Sequence, residues 1–149
     1  MFDYRLKFVR ERNGIKQIEM AKELGINKST YSNYESERNI IPIKHLIDFC
    51  DKCKVSVDYL FGFTNKSYSE FKKGINVKIS SIRLKDLRES LKISQEAFAR
   101  VIKTKRSIIS GYEIGTQIIS TKNLFIISQK YHISADYLLG KIDGPKYLK

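Results

Sequence analysis

The sequence predicts an all-α protein built from two tandem five-helix domains joined by a polar linker. Three observations predict it. Sliding the chain against itself by 78 positions aligns residues 5–62 with 83–140 without a gap, and 22 of the 58 aligned positions are identical. A repeat of that length is a domain written twice. Hydrophobic residues make up 42% of the chain while Pro (2) and Gly (8) are scarce, so there is material for a core and little to break helices. The few Gly, Asn and Ser residues that punctuate the apolar pattern also fall where helices must start and stop.

In copy one, a first helix over residues 4–12 places Leu6 and Val9 on one face and ends at Asn13-Gly14, a left-handed stop signal. A second, over 17–24, buries Met20, Ala21 and Leu24, and Gly25 supplies the sharp turn that follows. Asn27 is suited to cap a third helix over about 28–35. Its Tyr31 and Tyr34 face inward, while Lys28, Ser29, Ser32 and Asn33 face out. A loop through Pro42 leads to a fourth helix with Leu46 and Phe49 inward, and Ser56 caps a fifth, VDYLF, that ends at Gly62. Copy two repeats the scheme with Leu84, Leu87, Phe98, Ala99, Ile102, Ile109, Tyr112, Leu124, Ile127, Ser134 and Gly140. The expected organisation is therefore a domain over 1–62, a linker over 63–82, a domain over 83–140 and a short tail over 141–149. A short amphipathic turn is expected in the linker around Tyr68 and Phe71.

Lys and Arg number 28 against 16 Asp and Glu, a net charge of +12, which favours a polyanionic partner through phosphate pairing and counterion release. The basic residues are spread over both halves rather than gathered on one amphipathic segment, so a membrane surface ranks behind nucleic acid. No apolar run reaches bilayer length, and the charged start MFDYRLKFVRER lacks the apolar stretch of a signal peptide. A cytoplasmic protein is expected, with no membrane partner. Cys50 and Cys53 form a lone CxxC late in a helical stretch, with only His45 and His132 to complete a metal site. Zinc needs four ligands, and redox thiols are activated at a helix N-terminus, so packed free thiols are expected and no metal or other cofactor. No HExxH, Gly-rich phosphate loop or Gly-x-Ser-x-Gly elbow occurs, and an enzyme is not expected.

Gln17-x-x-x-Ala21, the turn Gly25, Tyr34-Glu35 and the closing Val55-Ser56-Val57-Asp58-Tyr59-Leu60 together resemble the phage repressor and Cro type of helix-turn-helix domain, the XRE-like regulators. The resemblance covers both copies and implies two lambda-repressor-like DNA-binding domains, with helix-turn-helix segments at about 17–36 and 95–114. It implies an internal ion pair between the first helix and the end of the recognition helix, Arg10 with Glu35 and Arg88 with Glu113. It implies that Lys28, Ser29, Ser32 and Asn33 meet base edges of double-stranded DNA in the major groove. Gln17, Asn27, Arg38 and Lys44 would hold phosphates, which positions the domain without specifying sequence.

In copy two the matching base-reading residues are Arg106, Ser107 and Ser110, and the phosphate residues are Gln95, Lys103, Lys105 and Lys122. Here the pattern departs from the family. Lys103 stands where the turn glycine belongs and must either turn left-handed or force another turn. Lys105 replaces the Asn cap, leaving Thr104 as a substitute one residue earlier, and Gly111 removes a reading side chain. Residues 1–62 carry net +2, 63–82 net +3 and 83–149 net +7, so the copy with the poorer reading face is the more basic. Whether it reads bases or only grips phosphates stays open.

The function expected is sequence-specific transcriptional regulation by operator occupancy, that is, a repressor. Twenty fully extended linker residues would span about 66 Å against roughly 34 Å between successive major-groove faces, so both direct and inverted half-sites are open. A homodimer and an intramolecular pseudo-dimer are both open. With nine residues after Gly140, no sensing domain or small-molecule effector is expected. The alternative is a protein-interaction module of the antitoxin or anti-repressor kind using the same fold, since fold does not fix function.

Overall fold

A computed structural model describes residues 4–67 and 70–149. The described residues form ten helices and no strand, and they divide into two compact units, Met1–Gly74 and Ile75–Lys149. Unit one contains α1 (Leu6–Arg12), α2 (Gln17–Leu24), α3 (Lys28–Glu35), α4 (Ile43–Cys53) and α5 (Val57–Leu60). Unit two contains α6 (Val77–Ser90), α7 (Gln95–Val101), α8 (Arg106–Ile114), α9 (Thr121–Tyr131) and α10 (Ala135–Leu138).

Three of the caps read from sequence are made. Asn27 Oδ1 accepts from the Thr30 N–H at 2.8 Å, and the Ser56 and Ser134 hydroxyls accept from the Tyr59 and Tyr137 N–H groups. Every core residue named above for either copy is buried. Unit one closes around Leu6, Val9, Met20, Tyr31, Leu46, Phe49 and Leu60, and unit two around Leu87, Phe98, Ile109, Leu124, Ile127 and Leu138. α3 packs on α2 and α8 on α7. Cys50 and Cys53 are buried on the inner face of α4, and burial pushes the Cys53 thiol up to about 11, which disfavours the reactive thiolate. Among the described residues no helix is long and apolar enough to cross a membrane.

The structure corrects the sequence reading in four places. α1 begins at Leu6 rather than at residue 4. The stretch read as linker is shared between the units. On one side, Ser67 O accepts from the Ser56 N–H and the Gly74 N–H donates to Asp51 at 2.8 Å. On the other, α6 starts at Val77, capped by Asn76. Composition hid that helix because Ser80 and Ser81 look like linker residues, yet both are buried small groups, and the Ser81 hydroxyl donates to the Val77 carbonyl. A reach calculated from twenty extended residues therefore lapses. Of the expected amphipathic turn, Tyr68 lies outside the described residues, and the chain at Phe71 is not helical. Finally, the tail is tied down: the Ser134 N–H donates to Lys146 O and the Leu148 N–H to His132 O.

Candidate nucleic-acid interface

α3 is fixed from behind by a buried polar lock. Arg10 Nε and Nη2 donate to the two carboxylate oxygens of Glu35 at 2.6 and 3.0 Å, Arg10 Nη1 donates to Ile15 O, and Gln17 Nε2 donates to Glu35 Oε1 at 3.0 Å. The two charged side chains are 8% and 4% exposed. Burial alone would raise the Glu35 carboxyl, but the donors on Arg10 and Gln17, with the Tyr31 hydroxyl beside it, hold it below the ordinary glutamate value. The same bidentate hydrogen bond raises Arg10. Three helices are thereby registered at one carboxylate: α1 through Arg10, α2 through Gln17 and α3 through Glu35.

With Tyr31 and Tyr34 buried and Glu35 locked, the opposite face of α3 is left to solvent. Lys28 and Ser29 are exposed, and Ser32 and Asn33 half-exposed. Asn27 caps α3, Arg38 lies in the loop after it and Lys44 on the first turn of α4, and all three are exposed. Gln17 is half-buried and spends one amide proton on Glu35.

Two helices at a fixed turn, with the second presenting a polar outer face, match the helix-turn-helix family over residues 6–60 and again over 84–138, together about three quarters of the chain. The chain belongs to the helix-turn-helix family. It is 34% identical over 65 residues to the uncharacterized HTH-type transcriptional regulator YobD of Bacillus subtilis (strain 168), a match covering 44% of this chain and 58% of that protein. It is 36% identical over 58 residues to the antitoxin PezA of Streptococcus pneumoniae serotype 4, covering 39% of this chain and 37% of that protein. The matches thus span less than two thirds of either relative. No solved structure matches.

The second helix-turn-helix repeats the lock atom for atom. Arg88 Nε and Nη2 bind Glu113 at 2.7 and 2.9 Å, Nη1 binds Ile93 O, and Gln95 Nε2 donates to Glu113 at 3.1 Å. Lys103 takes φ +57° where Gly25 takes +73°, and the turn keeps its hydrogen bonds: Lys103 N–H to Arg100 O and Thr104 N–H to Ala99 O, as Gly25 N–H to Lys22 O and Ile26 N–H to Ala21 O. The turn is the same one, held left-handed by a lysine. The substitute cap does not form, since Lys105 occupies the cap position without a side-chain hydrogen bond. Lys103, Lys105, Arg106, Ser107 and Lys122 are exposed and Ser110 is half-exposed.

Sequence reasoning passed over two features. Arg5 stacks on Tyr59 at 4.4 Å and donates to Thr64 O, and Arg83 stacks on Tyr137 at 3.8 Å and donates to Tyr137 O and Ile142 O. The signal was available, because both Arg-Tyr pairs are identities of the repeat. The second is Gln117, whose side chain lies against Gly111.

Proposed function

We propose that this chain is a sequence-specific double-stranded-DNA-binding transcriptional regulator, a repressor that occupies an operator with two reading helices. One observation carries the reading: the outer face of α3, fixed by the Arg10–Glu35–Gln17 lock, offers the polar side chains of Lys28, Ser29, Ser32 and Asn33 to a partner. That is the surface a helix-turn-helix lays against base edges. Lys28 suits the O6 and N7 acceptors of guanine, Asn33 suits a paired contact to adenine, and Ser29 and Ser32 suit either kind of edge. In unit two Arg106, Ser107 and Ser110 take these places.

The backbone contacts are assigned to Asn27, Arg38, Lys44, Lys103, Lys105 and Lys122. Gln17 and Gln95 each keep a second amide proton for a phosphate oxygen. The net +12 supports a phosphate partner, and the Bacillus relative named as a transcriptional regulator supports the regulatory role; on this reading the protein acts in the cytoplasm, with the DNA. Two reading units on one chain make the second half-site contact intramolecular, without need of a second chain.

A second reading has a specific observation behind it. Ile114 and Ile118, at the end of α8 and just after it, are 69% and 46% exposed, and one relative is named an antitoxin. These apolar side chains suit a protein partner. One experiment separates the readings: DNA selected by the intact chain from a random duplex library, followed by titration of the winner in rising salt. A regulator enriches a defined sequence whose affinity falls steeply with salt. No enrichment, or an affinity indifferent to salt, rejects the DNA reading in favour of the protein partner.

A further inference from the structure

Copy two has lost the amide that copy one carries at the sixth residue of its reading helix, because Gly111 stands where Asn33 does. In copy two the space over that position is filled by a carboxamide from outside the helix, Gln117. A Cβ built on Gly111 would lie 3.0 Å from Cγ, Cδ and Nε2 of Gln117, so the Gln117 carboxamide rests directly on the glycine and Gly111 is buried beneath it. The backbone holds it there. Gly111 O accepts from the N–H groups of Gly115, Thr116 and Gln117 at 3.1, 3.0 and 3.2 Å, which clamps the segment carrying Gln117 to the residue it covers. Gln117 itself remains exposed. Ser107, Ser110 and Gly111 share one helix face through their i, i+3 and i+4 spacing, so the Gln117 amide, resting on Gly111, joins that face.

We propose that Gln117 is a base-reading residue of unit two, supplying from the loop after α8 the carboxamide that Asn33 supplies from within α3. The proposal rests on the DNA-binding reading above and deepens it. A carboxamide in that position carries one donor and one acceptor side, the pair that matches the N6 and N7 edge of adenine. Glycine at 111 is then a requirement of the design, because any side chain there would push the amide away. Unit two thereby reads bases as well as gripping phosphates.

The test is library selection with the intact chain and three variants, Arg106→Ala, Gln117→Ala and Gly111→Ala. Arg106→Ala marks the base pairs that unit two faces. Gln117→Ala should relax preference at one adenine within or next to them, by roughly 5- to 150-fold, with the remaining positions unchanged. Gly111→Ala, which keeps the amide but displaces it and favours the helix, should relax the same position. If Gln117→Ala weakens all sequences alike, or leaves the selected sequence unaltered, the residue does not read a base and the proposal falls while the regulator reading stands. If Arg106→Ala removes no half-site, unit two reads nothing and the proposal falls, with Asn33→Ala still reporting on unit one. If the intact chain selects no DNA, both fall together.

Discussion

Units one and two draw the same backbone with different residues, and their left-handed turns show how far this goes. Unit one turns left-handed at Gly14, Gly25, Glu37, Lys54 and Gly62; unit two does so at Lys92, Lys103, Gly115, His132 and Gly140, each 78 positions on. Only the last pair is glycine in both. At Gly140 the reason is contact, since a Cβ there would come within 2.9 Å of Asn76 and 3.3 Å of Ile79 at the start of α6. At Gly14 and Gly25 nothing lies within 4 Å of an added Cβ, so a side chain fits and only the dihedral resists it. The turns are therefore imposed by the helices they join, which bury enough surface to hold a lysine in a conformation it disfavours. The polar locks are equally constant, whereas the outer faces diverge: Lys28 becomes Arg106 and Asn33 becomes Gly111. The frame is kept more closely than the outer face proposed to meet DNA, where Ser29 and Ser32 recur as Ser107 and Ser110 but Lys28 and Asn33 do not recur.

The largest expected effect comes from breaking one lock at a time. Glu35→Ala leaves the Arg10 guanidinium buried without its anion, a kind of change that costs about 3–5 kcal/mol; a slightly exposed arginine places this one toward the low end. Glu113→Ala should cost unit two less, because Arg88 is 14% exposed against 8% for Arg10 and Ile109 stands where Tyr31 faces Glu35. Native-state amide exchange in α3 and α8 reports each unit separately. Equal losses in the two units, or a loss under about 1 kcal/mol in unit one, would mean that packing rather than the ion pair sets these helices.

Acid sharpens the same contrast. A carboxyl held below its unfolded value of 4.5 stabilises the fold fully above that value, and the contribution is lost as pH falls through the lower folded value. Amide protection in α3 should thus fall as pH drops below about 4.5, and Glu35→Gln, which cannot ionise, should flatten the fall. An unchanged slope in the variant would assign the acid response to other carboxylates.

Much of this frame was legible in the sequence, and the failures share a cause. The repeat and its punctuating residues exposed the helices and the caps Asn27, Ser56 and Ser134, because each rests on a residue type with one strong local preference or on an identity shared by the copies, while both locks followed from the family resemblance. The start of α6 was illegible because Ser80 and Ser81 are buried within the unit and the Ser81 hydroxyl donates inside its own helix, where composition sees only polar residues. Gln117 was illegible because its placement depends on the tertiary clamp at Gly111 O; the missing side chain at 111 was the one hint that something must fill the space. The shared Arg5-Tyr59 and Arg83-Tyr137 stacks do not show in composition, where arginine counts as surface charge although its guanidinium plane can pack on a ring.

A smaller effect tests the outer face of unit one. Asn33→Ala should relax preference at one base pair by about 1–3 kcal/mol and leave amide protection of α3 unchanged, since Asn33 has no part in the lock. Base preference is read by competition between the selected duplex and its single-base variants. A uniform loss across all variants would recast Asn33 as a phosphate contact.

The smallest effect swaps the turn residues themselves. A left-handed lysine costs about 1–2 kcal/mol, and glycine gives back about 0.5–1 kcal/mol through its freer unfolded chain, so the net difference is about 1 kcal/mol. Gly25→Lys should therefore cost unit one about that much, with the turn intact because unit two already makes it with Lys103. Lys103→Gly should stabilise unit two by a similar amount. The same change removes an exposed cation assigned to a phosphate, so DNA affinity should fall as stability rises, and the dependence on salt should weaken by about one counterion. Opposite signs in the two measurements are what the contrast between frame and surface demands. A Lys103→Gly variant that loses stability would show instead that the lysine stem packs on the turn, and that unit two tolerates its strained dihedral for the frame's sake rather than for the sake of charge.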